Sequence, residues 1–194
     1  MKQLTVFAIL VVIVVAACGF IPTGEDMAIY DDVVRLHVLA NSDTEDDQNI
    51  KLAVRDAVLG TVGDITAAAT DAESAAALIN ENICEIRDVA AHTLSELGVD
   101  MPVSVTLSDE RYPTRDYDDM SLPSGTYTSL RIMIGEAKGQ NWWCVLYPAV
   151  CLSSAKANAV FKQTGFSSEQ INILTDNEKP VYKIKFKLLE LISG

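Results

Sequence analysis

His37, Asn41, Ser42 and Asp43 stand close together where a strand pattern gives way to a helix pattern, and they offer most of the chemistry in this chain. A histidine can act as a general base near neutral pH, with a nearby acid to orient it. The same residues also suit plainer duties, since Asn41 and Ser42 favour turns and helix caps and a lone strand histidine is commonly structural. No GxSxG, HExxH, P-loop or GxGxxG pattern supplies a nucleophile, metal or phosphate site, and the two histidines are not spaced for zinc. No catalytic residue, metal ligand or cofactor is therefore assigned, and the chain is read as a non-enzyme. The Asp46-Asp47 and Asp118-Asp119 pairs are sequence neighbours, which does not bring two carboxylates onto one face. Trp142 and Trp143 are also adjacent. On a strand they point to opposite faces, one into the core and one outward. The outward indole, beside Tyr147, is either a protein contact or covered by a helix or loop.

The N-terminus sets the compartment in which these residues would work. Met1-Lys2 precedes an uncharged run from Leu4 to Ala17, closed by small residues and Cys18-Gly19. That is the pattern of an export signal. As a helix the run reaches only about 20 Å, short of the ~30 Å hydrocarbon core, so export is expected rather than a permanent span. Val15-Ala16-Ala17-Cys18 resembles a lipobox, making Cys18 a candidate for lipidation, and the same small residues satisfy ordinary signal cleavage. Outside the cytoplasm a disulfide is permitted. Cys144 and Cys151, with Pro148 between them, are either such a pair or two packed thiols, and Cys84 is expected to be packed in a helix face.

The elements that would position the candidates follow from periodicity. Residues 1–19 are the signal, 20–31 a polar tether, and 32–194 one domain. Val34, Leu36 and Val38 alternate with Arg35 and His37, a strand with one wetter face. Ser42 through Glu45 fits a capping box opening a helix over 43–62, with Ile50, Val54, Ala57 and Val58 inward and Asp47, Lys51 and Arg55 as surface pairs. Thr70 through Glu73 opens a second helix running to Leu97, with Ile79, Ile83, Ile86, Ala90, Leu94 and Leu97 as its stripe and Gly98 as its stop. Residues 102–107 read as a strand, 129–135 and 142–147 as a hairpin, 153–165 as helix or loop, and 181–188 as a last strand. The sum is an α+β domain, a helix pair on a mostly antiparallel sheet of four to five strands.

A chain of 194 residues with 49% hydrophobic content can bury one good core. Its 15 basic and 27 acidic side chains give a formal charge of −12, which repels phosphate and excludes nucleic acid as a natural partner.

The continuous stretch Arg35 to Gln48, followed by Lys51-Leu52 and Val54 to Val58, resembles the stage II sporulation protein R family of endospore-forming bacteria. Gly139 to Pro148 and Cys151 are similar to it too, and the likeness runs from Val33 to Leu191. The resemblance implies a forespore-made signal, exported into the space between the membranes that separate forespore from mother cell. There it would trigger a membrane-embedded peptidase that processes the precursor of the mother-cell sigma factor, sigma-E, while attached to its own membrane by the N-terminal segment or a lipid. His37, Asn41, Ser42 and Asp43, together with Trp142 or Trp143, are the expected contact surface. An extracytoplasmic hydrolase and a structural envelope lipoprotein are the alternatives.

Overall fold

The computed structural model describes residues 3, 5–7, 9–10, 29–117, 120–150, 160–161 and 163–175. Cys18, Asp118-Asp119, Cys151 and the strand expected over 181–188 lie outside them. Among the described residues no helix is long and apolar enough to cross a membrane.

The first strand, β1 (Val34–Leu39), is buried at all six positions, including Arg35 and His37. No wetter face exists, because β1 is an inner strand with a layer packed on each side. After it come α1 (Glu45–Ile65), α2 (Ala72–Glu81) and α3 (Ile83–Glu96). Thr44, not Ser42, caps α1, accepting from the Asp47 amide. The second capping box is likewise shifted by one, to Asp71 and Ser74. What the apolar stripe suggested as one long helix breaks at Asn82, so three helices cover the sheet. Val54, Val58, Val62, Ile79, Ile86, Ala90 and Leu94 meet Leu36, Val38, Leu130 and Ile132 in the main core. Leu97 falls just past the last turn and is exposed, and Gly98 takes φ +69° beside it, the left-handed conformation expected where a helix stops. Cys84 is exposed on the outer side of α3, one residue off the buried stripe, and is not the packed thiol expected.

Two long strands follow, β2 (Val103–Tyr112) and β5 (Gly125–Ile134), with a short ribbon of β3 (Arg115–Tyr117) and β4 (Met120–Leu122) between them, and then β6 (Asn141–Tyr147). Most of the charged stretch after residue 107 is therefore strand. The sheet order is β2-β5-β1-β6. β5 and β6 are not a hairpin: β1 lies between them, parallel to β5 and antiparallel to β6. Two of the three pairings are antiparallel, and the α+β architecture holds.

The face of the sheet away from the helices carries a second apolar cluster. Ile29, Val33, Leu122, Tyr127, Val145, Phe161, Phe166 and Leu174 meet there, under the β3–β4 ribbon and α4 (Ser168–Thr175), a helix the sequence pattern had not indicated. Ile29 is fully buried and Asp32 accepts from Gln170 Nε2 at 2.8 Å, so packing begins within the stretch read as a tether.

Candidate functional site

The residues singled out from the sequence fall into three separate environments. The first is the junction between β1 and α1. Asn41 Nδ2 donates to Asp47 Oδ2 at 2.9 Å, and Ser42 Oγ donates to the same oxygen. These bonds, Ser42 first, hold the Asp47 carboxyl below its usual range. Across the gap, the Glu136 amide donates to Asn41 Oδ1 (3.0 Å) and the Gln140 amide to Asp43 Oδ1 (2.7 Å). Backbone bonds run in parallel, from Lys138 N to Asn41 O (3.1 Å) and from Gly139 N to Ala40 O (2.9 Å). Lys51, only 4% exposed, reaches up from α1 to donate to Gln140 O (3.0 Å) and to Gln48 Oε1. Burial lowers its pKa first, and the neighbouring Arg55 charge adds to that.

Asp47 and Lys51 are therefore buried pins, not the surface helix pairs that their spacing suggested. Asn41 and Asp43 tie the β1–α1 turn to the loop at residues 135–140, while Ser42 spends its hydroxyl within the turn, on Asp47 and Thr44. Two glycines allow the approach. A Cβ on Gly135, at φ +58°, would lie 2.3 Å from Asn41 Oδ1, and one on Gly139 would lie 2.2 Å from the Ser42 carbonyl oxygen.

The second environment surrounds Trp142. Its indole lies on the helix side of β6, 37% exposed, with the Arg55 guanidinium 4.2 Å from the ring. Trp143 points the opposite way, as strand alternation requires.

The third environment, on Trp143's side of the sheet, was missed in the sequence apart from His37 and Trp143. His37 Nδ1 lies 2.9 and 3.0 Å from the two carboxylate oxygens of Glu110. Its ring is 5.5 Å from Trp143 and 6.1 Å from Tyr112, centroid to centroid. The Tyr112 hydroxyl donates to Glu110 Oε2 (3.1 Å) and shares a 2.6 Å hydrogen bond with Ser129 Oγ. Burial is the main cause that keeps this phenol protonated well above its usual range. Arg35, fully buried, stacks 3.9 Å over Tyr112 and 5.0 Å from Tyr127 and donates from Nη2 to the Tyr117 hydroxyl at 2.9 Å. Arg115 stacks 3.7 Å over Trp143. The sequence signal was present: Arg35 and His37 alternate on one strand face, and Tyr112, Arg115 and Tyr117 alternate cation with aromatic at short spacing.

Chemically, a histidine oriented by a carboxylate is the pairing a general base needs. Here the His37 ring is flanked by Tyr112 and Trp143 and is 5% exposed, while Glu110 is partly exposed. Among the described residues no group of three His, Cys, Asp or Glu side chains could hold a metal ion. Cys144 is disulfide-bonded, and Cys151, read from the sequence as either its partner or a second packed thiol, lies outside the described residues.

Fold and site thus define an α+β domain with a central strand packed on both faces, a pinned strand-to-helix junction, and a buried cation–aromatic cluster. The model of the family described as stage II sporulation protein R matches residues 30–157, and the chain belongs to that family. Stage II sporulation protein R of Bacillus subtilis (strain 168) is 35% identical over 141 residues, covering 72% of this chain and 63% of the relative. The chain thus spans less than two thirds of that relative's length. No solved structure matches it. The matched region contains every element that builds the junction and the cluster, from β1 to β6.

Proposed function

We propose that this chain is an exported sporulation signal that acts by binding, without catalysis, to activate a membrane-embedded peptidase that processes the precursor of the mother-cell sigma factor, sigma-E. Membership of the stage II sporulation protein R family carries the proposal. The charged start, the apolar run from Leu4 to Ala17 and Cys18 support export and attachment to a membrane, by that segment or by a lipid. Its place of action is the space between forespore and mother-cell membranes. The burial of the His37 imidazole is consistent with a binding protein, since a base must reach its substrate.

Binding activates the peptidase by population shift: the signal binds the active arrangement more tightly than the inactive one. Of the residues expected at the contact, Trp142 and Asp43 are exposed, and Asn41 and Asp43 shape the surface by holding two loops together. The test is cleavage of the sigma-factor precursor in cells co-expressing the peptidase and its substrate, with this chain exported, retained in the cytoplasm, or absent. Cleavage only with the exported form is the expected result. Unprocessed precursor with all three proteins present and folded would refute the proposal.

A further inference from the structure

Among the described residues six buried side-chain nitrogens have no hydrogen-bond partner: Arg35 Nε and Nη1, His37 Nε2, Arg115 Nε, Arg131 Nε and Trp143 Nε1. Native structures leave few such atoms unpaired, because a buried donor without a partner forfeits the hydrogen bond it would make to water, and a charged donor loses most. These six are not scattered. Arg131 and Trp143 are the register partners of His37 on either side of it, so the three form one rank across the sheet face away from the helices. Arg35 lies two residues back on the same face, and Arg115 comes down from β3 onto the Trp143 ring. Five of the atoms are N–H donors, and the sixth donates when the imidazole is protonated.

The charge count points the same way. Among the described residues this face carries three guanidinium groups, Arg35, Arg115 and Arg131, beside the Glu110 carboxylate, whose oxygens are taken up by His37 and Tyr112. Arg35 and His37 are buried and Arg115, Arg131 and Trp143 half-buried; the unpartnered nitrogens themselves are covered, so an occupant reaches them only as the half-buried arginine side chains move aside. On the exposed side of the rank, Ser104, Thr106 and Asn141 face solvent. Planar guanidinium and indole donors suit a planar carboxylate, which accepts from two or more N–H groups at once.

We propose that Arg131, Arg115 and Trp143, backed by His37 and Arg35, form a receptor for an acidic side chain of a protein partner. The occupant is a side chain and not a free anion because the protein carries a net charge of −12. Long-range repulsion disfavours small anions, whereas a carboxylate delivered by a docking protein is helped by the other contacts of that interface. The inference rests on the activator reading only in naming the partner as a protein. The site itself stands on the unpartnered donors.

Trp143 gives the site its own reporter. In the purified full chain carrying Trp142→Phe, a capped tetraglutamate peptide is titrated while Trp143 emission is followed. The expected result is a saturable change that capped tetralysine does not produce, with the apparent Kd raised about tenfold or more by Arg131→Gln or Arg115→Gln. Both arginines are half-buried, and circular dichroism checks that the variants fold. No saturable change, or saturation indifferent to both substitutions, would overturn the proposal. Equal saturation by sodium phosphate with the same arginine dependence would overturn the side-chain occupant and leave a general anion site. Precursor cleavage in cells separates this inference from the function. Normal activation by folded Arg131→Gln and Arg115→Gln chains that no longer bind peptide would remove the receptor from signalling, whereas peptide binding by a wild-type chain that never activates would remove the signalling role alone.

Discussion

Replacing Gly139 with alanine probes whether the two loops at the end of β1 are held as tightly as their hydrogen bonds suggest. The new Cβ would stand 2.2 Å from Ser42 O, 2.6 Å from Ser42 C and 2.9 Å from Ala40 Cβ. Two of those atoms are backbone, so relief requires one loop to recede from the other by about 1 Å to reach ordinary contact. A shift of that size lengthens the bonds from Gly139 N to Ala40 O (2.9 Å) and from Gln140 N to Asp43 Oδ1 (2.7 Å) beyond useful range. Overpacking strain of about 1–3 kcal/mol and one or two hydrogen bonds at about 1 kcal/mol each give an expected loss of about 3 kcal/mol. Gly60 is the internal control. It lies in α1 with nothing within 4 Å of an added Cβ, so alanine there should stabilise by about 0.5–1 kcal/mol. The assay is urea unfolding of both variants, comparing midpoints at unchanged m. A Gly139→Ala loss under about 0.5 kcal/mol would show that the junction is not a fixed contact, and the reasoning would fail.

Three further outcomes follow from the packing and the charges. Ile79→Ala, at a fully buried position of the main core, should cost about 2–5 kcal/mol by the same unfolding measurement. Thr44→Ala removes the cap of α1 and should cost about 1 kcal/mol, whereas Ser42→Ala should leave the capping bond to the Asp47 amide intact. Asp47 has its pKa lowered in the fold, so its contribution is present above the unfolded carboxylate value of about 3.9 and is lost as pH falls through the lower folded value. Unfolding midpoints of wild type and Asp47→Ala should therefore differ near neutral pH and converge toward pH 2; a gap that persists in acid would refute the assignment.

The α+β class, the stretches that form α1 to α3 and the first strand were legible because apolar spacing is local information, whereas α4 was not. Both capping boxes were displaced by one or two residues for a simple reason: Ser42-Asp43-Thr44 and Thr70-Asp71 each offer more than one capping side chain, and sequence alone does not choose. The missing break at Asn82 has the same origin, since the stripe continues across it. Topology was not legible. Placing β1 between β5 and β6 pairs Val34 with Thr128, a contact between distant parts of the chain, while adjacent strands in sequence looked like a hairpin. The cluster around Arg35 was hidden by the habit of reading a charged strand residue as solvent-facing. Only the second layer, built largely from residues after 110, turns that face inward.

The central position of β1 bears on how the chain reaches its fold. Among the described residues this strand leaves the ribosome first, yet both of its neighbours, β5 and β6, lie beyond residue 124. Until they emerge, β1 has two open edges and no partner, so the sheet can close only after most of the domain has been delivered. Such a topology completes its core late, with the Asn41 and Gly139 loops meeting once β5 and β6 have closed on β1.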